Sequence, residues 1–408
     1  MSEAAGDQQA RRGQAGLDWH NFFVANVQTG FGPFIAVYLS TEAWTQGSIG
    51  LALSVGTICG MISQLPGGAL VDSLENKRGA ALAPCAAIFV SAIMLAIWPQ
   101  WLPVLGAEVL HGFASAMLPA AIAAMSLALV GRAGLGERLG RNARYAALGN
   151  GIAAAVMGAV GAYVSQVAVF YLTAALMLPA MAALRAIPPG DVSVALDPGP
   201  RAAPGAGWRE AARLLLGWRV LLFAAVVLLF HLGNAAMLPL VAGEVTKSIG
   251  RQASLVIAAC IVLPQLLVAY ASPHVGRLAD TWGRRPVIAL TFLAVPVRGA
   301  LLAMVGSSAA LVPVQLLDGI SAAGFGVMLP LVAADLTRGT RRFTLCMGLF
   351  GLATGLGATV STALAGEIAD RYGTGTALWA LAAAALCAVV LAVTALPETR
   401  AVPGEVMA

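Results

Sequence analysis

A few ionisable and amide side chains stand inside long apolar runs, and whatever chemistry this sequence has rests on them. Glu108 and His111 are three residues apart in one run, so on a helix both lie on one face and can hydrogen-bond each other. A carboxylate beside an imidazole is suited to taking up and releasing a proton. Asp318 stands at the equivalent of His111 in a later run, since Leu317-Asp318-Gly319 matches Leu110-His111-Gly112. Arg298 lies in the run before it. Each is about nine residues from one end of its run, roughly 13 Å deep at 1.5 Å per residue. An Arg298–Asp318 ion pair is therefore geometrically allowed, with a solute or proton role for Asp318 as the other reading. Amides and imidazoles also recur at matched places: Asn26 and Gln28 ahead of Pro33, and His231 and Asn234 ahead of Pro239. In hydrocarbon a charge costs from about 2.5 to more than 10 kcal/mol unless paired or wetted, so each ionisable residue here is a functional candidate. For the amides the plainer reading is hydrogen bonding between helices.

No nucleophile–base pair, nucleotide-binding glycine loop or metal-ligand spacing accompanies these residues. The five cysteines (Cys59, Cys85, Cys260, Cys346 and Cys387) are scattered singly in apolar runs and read as small packing residues. No enzyme, cofactor or metal is expected.

The elements that hold the candidates follow from composition. Of the 408 residues 59% are apolar and only 11% charged, against about 25% charged in soluble domains. Runs of about 20 apolar residues cross a bilayer as helices, and twelve are predicted: 19–40, 47–72, 79–98, 102–130, 142–164, 166–187, 218–244, 253–280, 286–306, 309–336, 343–368 and 375–396. A β-barrel is excluded, because barrel strands alternate instead of running apolar all round. Residues 1–17 read as a polar tail without packed structure, and no cleavable leader is expected. Residues 188–217 read as a Pro- and Gly-rich linker ending in an amphipathic helix (Arg209, Arg213, Arg219) that separates an 18–187 bundle from a 218–397 bundle. Residues 398–408 form a second tail.

The net charge of +5 is distributed against a nucleic-acid partner. With the two basic hairpins described below taken as cytoplasmic, twenty of the 24 Lys and Arg fall on that side; Lys247, Arg251 and Arg371 lie opposite and Arg298 lies within a span. This is the bias that orients membrane proteins, and it places both termini in the cytoplasm. Arg in preference to Lys, with abundant Ala, suggests a GC-rich bacterial genome and hence the cytoplasmic (inner) membrane.

The second half repeats the first. Gly276-Arg277-Leu278-Ala279-Asp280, a turn at Gly283, then Arg284-Arg285 join two apolar runs. Gly68-Ala69-Leu70-Val71-Asp72 and Lys77-Arg78 do the same 208 positions earlier, with Glu75 in place of the glycine and Asn76 in place of the first basic residue. Gly348 and Gly357 are spaced like Gly149 and Gly158. The repeated hairpin resembles the Gly-x-Leu-Ala-Asp-x-x-Gly-Arg-Arg loop of major facilitator superfamily transporters, and the resemblance covers about residues 18–397.

That resemblance implies an all-α membrane fold of two pseudo-symmetric six-helix bundles and alternating-access transport of a small solute, with the lipid bilayer as surroundings and the proton as coupling ion. It makes Gly68, Asp72, Lys77, Arg78, Gly276, Asp280, Gly283, Arg284 and Arg285 gating-loop residues. Asn26, Gln28, His231 and Asn234 become solute-contacting candidates, while Glu108, His111 and Asp318 are proton-coupling candidates by their own chemistry. Proton-coupled relatives resemble Arg-x-x-Gln-Gly in span 4, where this chain has Glu108-Val109-Leu110-His111-Gly112, so the arginine's role does not transfer. Exporters resemble Gly-x(8)-Gly-x(3)-Gly-Pro in span 5; Gly149 and Gly158 fit, while Ala162 and Tyr163 replace Gly-Pro. Export is favoured over an uptake symporter or uniporter. A solute sensor on the same fold is the alternative of a different class, disfavoured by the short tails. A monomer is expected.

Overall fold

The computed structural model describes residues 2–25, 32–187, 207–249, 253–305 and 308–400. Among them there are helices and short connections and no strand. The helices are α1 Ser2–Val24, α2 Gly32–Thr41, α3 Gln46–Ser73, α4 Lys77–Ile97, α5 Trp101–Val130, α6 Leu135–Tyr163, α7 Gln166–Leu184, α8 Gly207–Leu215, α9 Trp218–Asn234, α10 Met237–Ile249, α11 Ala253–Trp282, α12 Arg284–Phe292, α13 Ala294–Met304, α14 Ser308–Leu336, α15 Phe343–Tyr372 and α16 Thr374–Thr394. Eleven stretches among the described residues are long and apolar enough to cross a membrane. The expected first span is divided between the end of α1 and α2, with 26–31 between them outside the described residues.

Two compact units emerge: Met1–Gly199 with Gly339–Gly348, and Pro200–Arg338 with Leu349–Ala408. This departs from the expected 18–187 and 218–397 bundles by assigning the start of α15 to the first unit. Thr344 is the reason: its Oγ1 donates to Gly68 O at 2.6 Å, and its N–H donates to Asp72.

The tails also differ from expectation. Residues 2–16 continue α1 instead of lacking structure. A Cβ on Gly16 would come within 2.8 Å of Ala183 O and 2.9 Å of Ala186 Cβ, so this glycine lets α1 lie directly on α7. Arg138 of α6 donates to Gln14 O at 3.3 Å. Polar composition hid these contacts, because they use backbone and not side-chain apolarity. At the other end Glu398 and Thr399 pack into the second unit. The amphipathic linker helix forms as α8, with Arg209, Glu210 and Arg213 exposed.

Each unit is built on small-residue seams, as expected where lipid removes the hydrophobic advantage of helix contact and close approach must supply dispersion energy. In the first unit α1 packs on α6 and α7, and α5 on α3 and α4. In the second α9 packs on α16, and α14 on α11. A Cβ on Gly149 of α6 would lie 2.8 Å from Phe22 C in α1; one on Gly357 of α15 would lie 3.0 Å from His231 Cβ in α9. These glycines are 208 residues apart, the hairpin offset, so Gly149 corresponds to Gly357. The equal spacing of Gly348 and Gly357 is thus a register coincidence: Gly348 meets Gln64 and Leu65 of α3.

Candidate functional site

Glu108 sits in the α3–α5 seam of the first unit. Gly112, one turn on, presses against α3, where an added Cβ would be 2.5 Å from Gly56 O and 2.9 Å from Gly60 N. That approach carries Glu108 over Gly56, whose own Cβ would sit 3.1 Å from the Glu108 carboxyl carbon. Gly56 is therefore the space the carboxyl group occupies. Glu108 is 4% exposed, and its buried Oε1 has no hydrogen-bond partner among the described residues. A charge held there is uncompensated and costly. His111 directs Nε2 to Ser115 Oγ at 3.2 Å, on its own helix, in place of the expected bond to Glu108. The i, i+3 spacing placed both on one side of α5 but did not determine their rotamers.

In the second unit Arg298 of α13 is 2% exposed and gathers three spans. Its Nη1 donates to Asp318 Oδ1 on α14, and its Nη2 donates to Asn234 Oδ1 at 2.7 Å and to Asn234 O at 3.3 Å. Met237 Sδ lies 3.3 Å from Nε and from Nη2. The acceptors at Asn234 and Met237 come from the break between α9 and α10. Pro239 has no N–H to give to Ala235 O, so the ladder is interrupted just past Asn234, at the break where the guanidinium finds its acceptors. Asp318 is about one-third exposed, so the cluster is sealed at the arginine and wetter at the carboxylate.

His231 lies one turn before Asn234 but belongs elsewhere. Its ring is edge-on to Phe325 at 4.5 Å, and its Nδ1 pairs with Val227 O at 3.2 Å. Asn26 and Gln28 lie outside the described residues. The structure thus brings Asn234, Arg298 and Asp318 together, and leaves Glu108 and His111 on one helix with separate surroundings.

The hairpins repeat more closely in space than in letters. Lys77 Nζ donates to Val71 O at 2.7 Å, and Arg284 Nη1 to Ala279 O at 2.8 Å; both cations are buried. Arg78 reaches Ile187 O, near the end of the first unit's last span, and Arg285 reaches Val393 O at the end of α16. Lys77 is therefore the counterpart of Arg284, not Asn76, because the first hairpin is one residue longer. Asn76 serves instead as N-cap of α4, accepting from Gly79 N at 2.9 Å. In the second hairpin the cap position is Gly283, at φ 106°, which offers no side-chain acceptor. Glu398 takes that role, accepting from Arg284 N at 2.8 Å and Arg285 N at 3.1 Å. A Cβ on Gly283 would come within 2.5 Å of Glu398 Oε2, so the glycine is required twice over.

Asp72 and Asp280 diverge. Asp72 Oδ1 and Oδ2 accept from Thr344 N at 2.9 Å and Leu345 N at 2.8 Å, a carboxylate on the first turn of α15 where the helix dipole favours it. Asp280 receives Arg284 Nη1 at 3.3 Å. Gly276 sits in α11, one turn before Asp280.

Two buried ionic knots were not anticipated from the sequence. Asp18, 1% exposed, is held by Arg138 and, at 2.5 Å, by Arg141. Arg138 Nε also bonds Asn142 Oδ1 at 2.9 Å, and Asn142 Nδ2 bonds Ser126 Oγ at 2.6 Å. The rule that flags ionisable residues inside spans would have found Asp18 had the first span been started one residue earlier. The second knot is Asp335, which accepts from Arg284 Nε at 2.8 Å, Arg338 Nη2 at 2.9 Å and Thr399 Oγ1 at 3.2 Å. Among the described residues no group of three or more His, Cys, Asp or Glu converges as a metal site.

Paired helical units with apolar spans, basic hairpins and a few buried charges define a multi-pass membrane carrier. Comparison with known proteins agrees. The profile of the Major Facilitator Superfamily matches residues 20–263 and 223–406. An uncharacterised MFS-type transporter of Mycobacterium tuberculosis, found in strain CDC 1551 and in H37Rv, is 36% identical over 388 residues, 94% of this chain and 93% of its own. Among solved structures, the E. coli fucose:proton symporter superposes with a TM-score of 0.70 at 15% identity, over 92% of this chain and 97% of that one, a likeness of fold. The chain belongs to the major facilitator superfamily; it is an all-α secondary transporter and not an enzyme.

Proposed function

We propose that this chain moves a small organic solute by alternating access and couples that movement to protons, with export as the working direction. The observation that carries the reading is Glu108, a carboxyl group in the α3–α5 seam whose buried Oε1 has no hydrogen-bond partner among the described residues. Such a group exchanges a proton more readily than it holds a charge in hydrocarbon. His111, three residues along the same helix, is the proposed modulator of that exchange. The Arg298–Asp318–Asn234 cluster is the proposed solute-side counterpart, since its wetter carboxylate and amide can contact a polar solute. The charge bias supports cytoplasmic termini in a bacterial inner membrane. Export rests on Gly149 and Gly158; uptake is favoured by the solved neighbour, whose name is that of a proton symporter.

The test is proton flux in proteoliposomes on adding pooled candidate solutes. Glu108→Gln is expected to cut solute-dependent proton flux at least about tenfold while leaving solute binding. Solute movement at full rate in that variant under a pH gradient would remove Glu108 from the mechanism. The direction of solute movement under the imposed gradient separates export from uptake.

Asp72 is proposed as a gating group, because its hold on the first turn of α15 must break and reform if that end opens. Asp72→Asn, and more weakly Asp280→Asn, is expected to lower turnover several-fold at unchanged apparent solute affinity. Counterflow rates measured over a range of solute concentrations check this; a shifted affinity at full turnover would contradict it.

A further inference from the structure

A second site lies apart from these, in the second unit beside the linker helix. Between the end of α8, the start of α9, the end of α14 and residues 397–399 there is a cavity of about 260 Å3. Its charged lining is Arg213, Arg219, Arg338, Asp335 and Glu398. The two carboxylates are already committed. Asp335 is taken by Arg284, Arg338 and Thr399, and Glu398 by the backbone N–H groups of Arg284, Arg285 and Arg400. The three cations outnumber them. Arg213 is exposed and makes no ion pair among the described residues, and Arg338, its side chain 30% exposed, pairs with Asp335 through Nη2. Arg219, which lines the cavity with Trp218, places its guanidinium 5.6 Å from that ring. The lining therefore suits an anion with several acceptor oxygens.

Its surroundings indicate where that anion comes from. Leu216, Trp218 and Leu221 are 70%, 60% and 44% exposed at the foot of α9, where a membrane span begins beside an amphipathic helix. A soluble anion has no use for this apolar ledge, whereas acyl chains do. We propose that the cavity binds the phosphate of an anionic phospholipid from the linker-side leaflet, with Arg213 and Arg219 as donors and the acyl chains along Leu216, Trp218 and Leu221. The assignment does not depend on proton coupling or on the transported solute.

The experiment is native mass spectrometry of the full chain purified with phosphatidylglycerol or with phosphatidylcholine, with and without millimolar inorganic phosphate. Phosphatidylglycerol should be retained well above phosphatidylcholine, and inorganic phosphate should not displace it. Arg213→Ala with Arg219→Ala should lower retention roughly tenfold. Replacing the same two residues by Lys should restore most of it, which separates lost charge from lost folding. Equal retention of both lipids, or a double alanine variant that binds like wild type, would overturn the site. Displacement by inorganic phosphate would reassign the cavity to a soluble phosphate and overturn the lipid assignment.

Discussion

Asp318→Ala is expected to destabilise the second unit by about 3–5 kcal/mol, roughly a hundred- to several-thousand-fold in the folding equilibrium. The variant leaves Arg298, 2% exposed, with only Asn234 and the weak acceptor Met237 Sδ. An uncompensated buried guanidinium cannot relax, because Arg holds its proton in proteins. The opposite deletion should be milder. Arg298→Met leaves a carboxylate that is about one-third exposed and can be reached by water, so its desolvation cost is smaller. The double variant Arg298→Met with Asp318→Leu should recover most of the loss, since apolar replacement of a buried pair is often near neutral. Thermal unfolding of the four purified proteins in one detergent measures all of this. If Asp318→Ala melts at the wild-type temperature, or the two single losses simply add in the double variant, the pair is not what holds these spans together. An exchanged pair, Arg298→Asp with Asp318→Arg, should recover less than the apolar double, because Asn234 O accepts and cannot donate to a carboxylate, and the Asn234 amide would have to flip to offer Nδ2.

The second large effect is expected at Asp335. This carboxylate is 5% exposed and satisfies Arg284 from the hairpin, Arg338 from the end of α14 and Thr399 beyond α16. Asp335→Ala strands the buried Arg284 guanidinium with the longer contact to Asp280 and the carbonyl of Ala279. A loss of about 3–5 kcal/mol follows. The consequence is also local: Thr399 loses its anchor while Glu398 still caps α12, so the chain end should loosen without the hairpin unfolding. Limited proteolysis near residues 397–400 should accelerate in Asp335→Ala and much less in Glu398→Gln, which keeps one acceptor oxygen. Equal protection in wild type and Asp335→Ala would mean that the knot contributes nothing to holding the end.

The class of this protein is legible in its composition. Lipid offers no partner for backbone groups, so each crossing must be a run of about 20 apolar residues, and such runs are visible without any structure. The sequence also determined where to look for chemistry, since Glu108, Arg298 and Asp318 are conspicuous against apolar neighbours. The doubled hairpin was legible as a repeat, but its register was not. Letters matched Asn76 to Arg284, whereas the backbone matches Lys77, because a cap and a cation are told apart only by what each side chain reaches. Depth counting put Arg298 and Asp318 at one level, yet the third partner, Asn234, depends on a helix break that exposes its carbonyl. His111 and His231 read alike as polar residues in apolar runs, and only packing separates one beside Ser115 from one against Phe325. Asp18 and Arg138 are 120 positions apart in sequence, and Asp335 and Thr399 are 64 apart. Spacing along a helix constrains neighbours within a turn or two; which distant charges meet is decided by small-residue seams such as Gly16 on α7 and Gly149 on α1, where close backbone approach fixes the rotation of every helix.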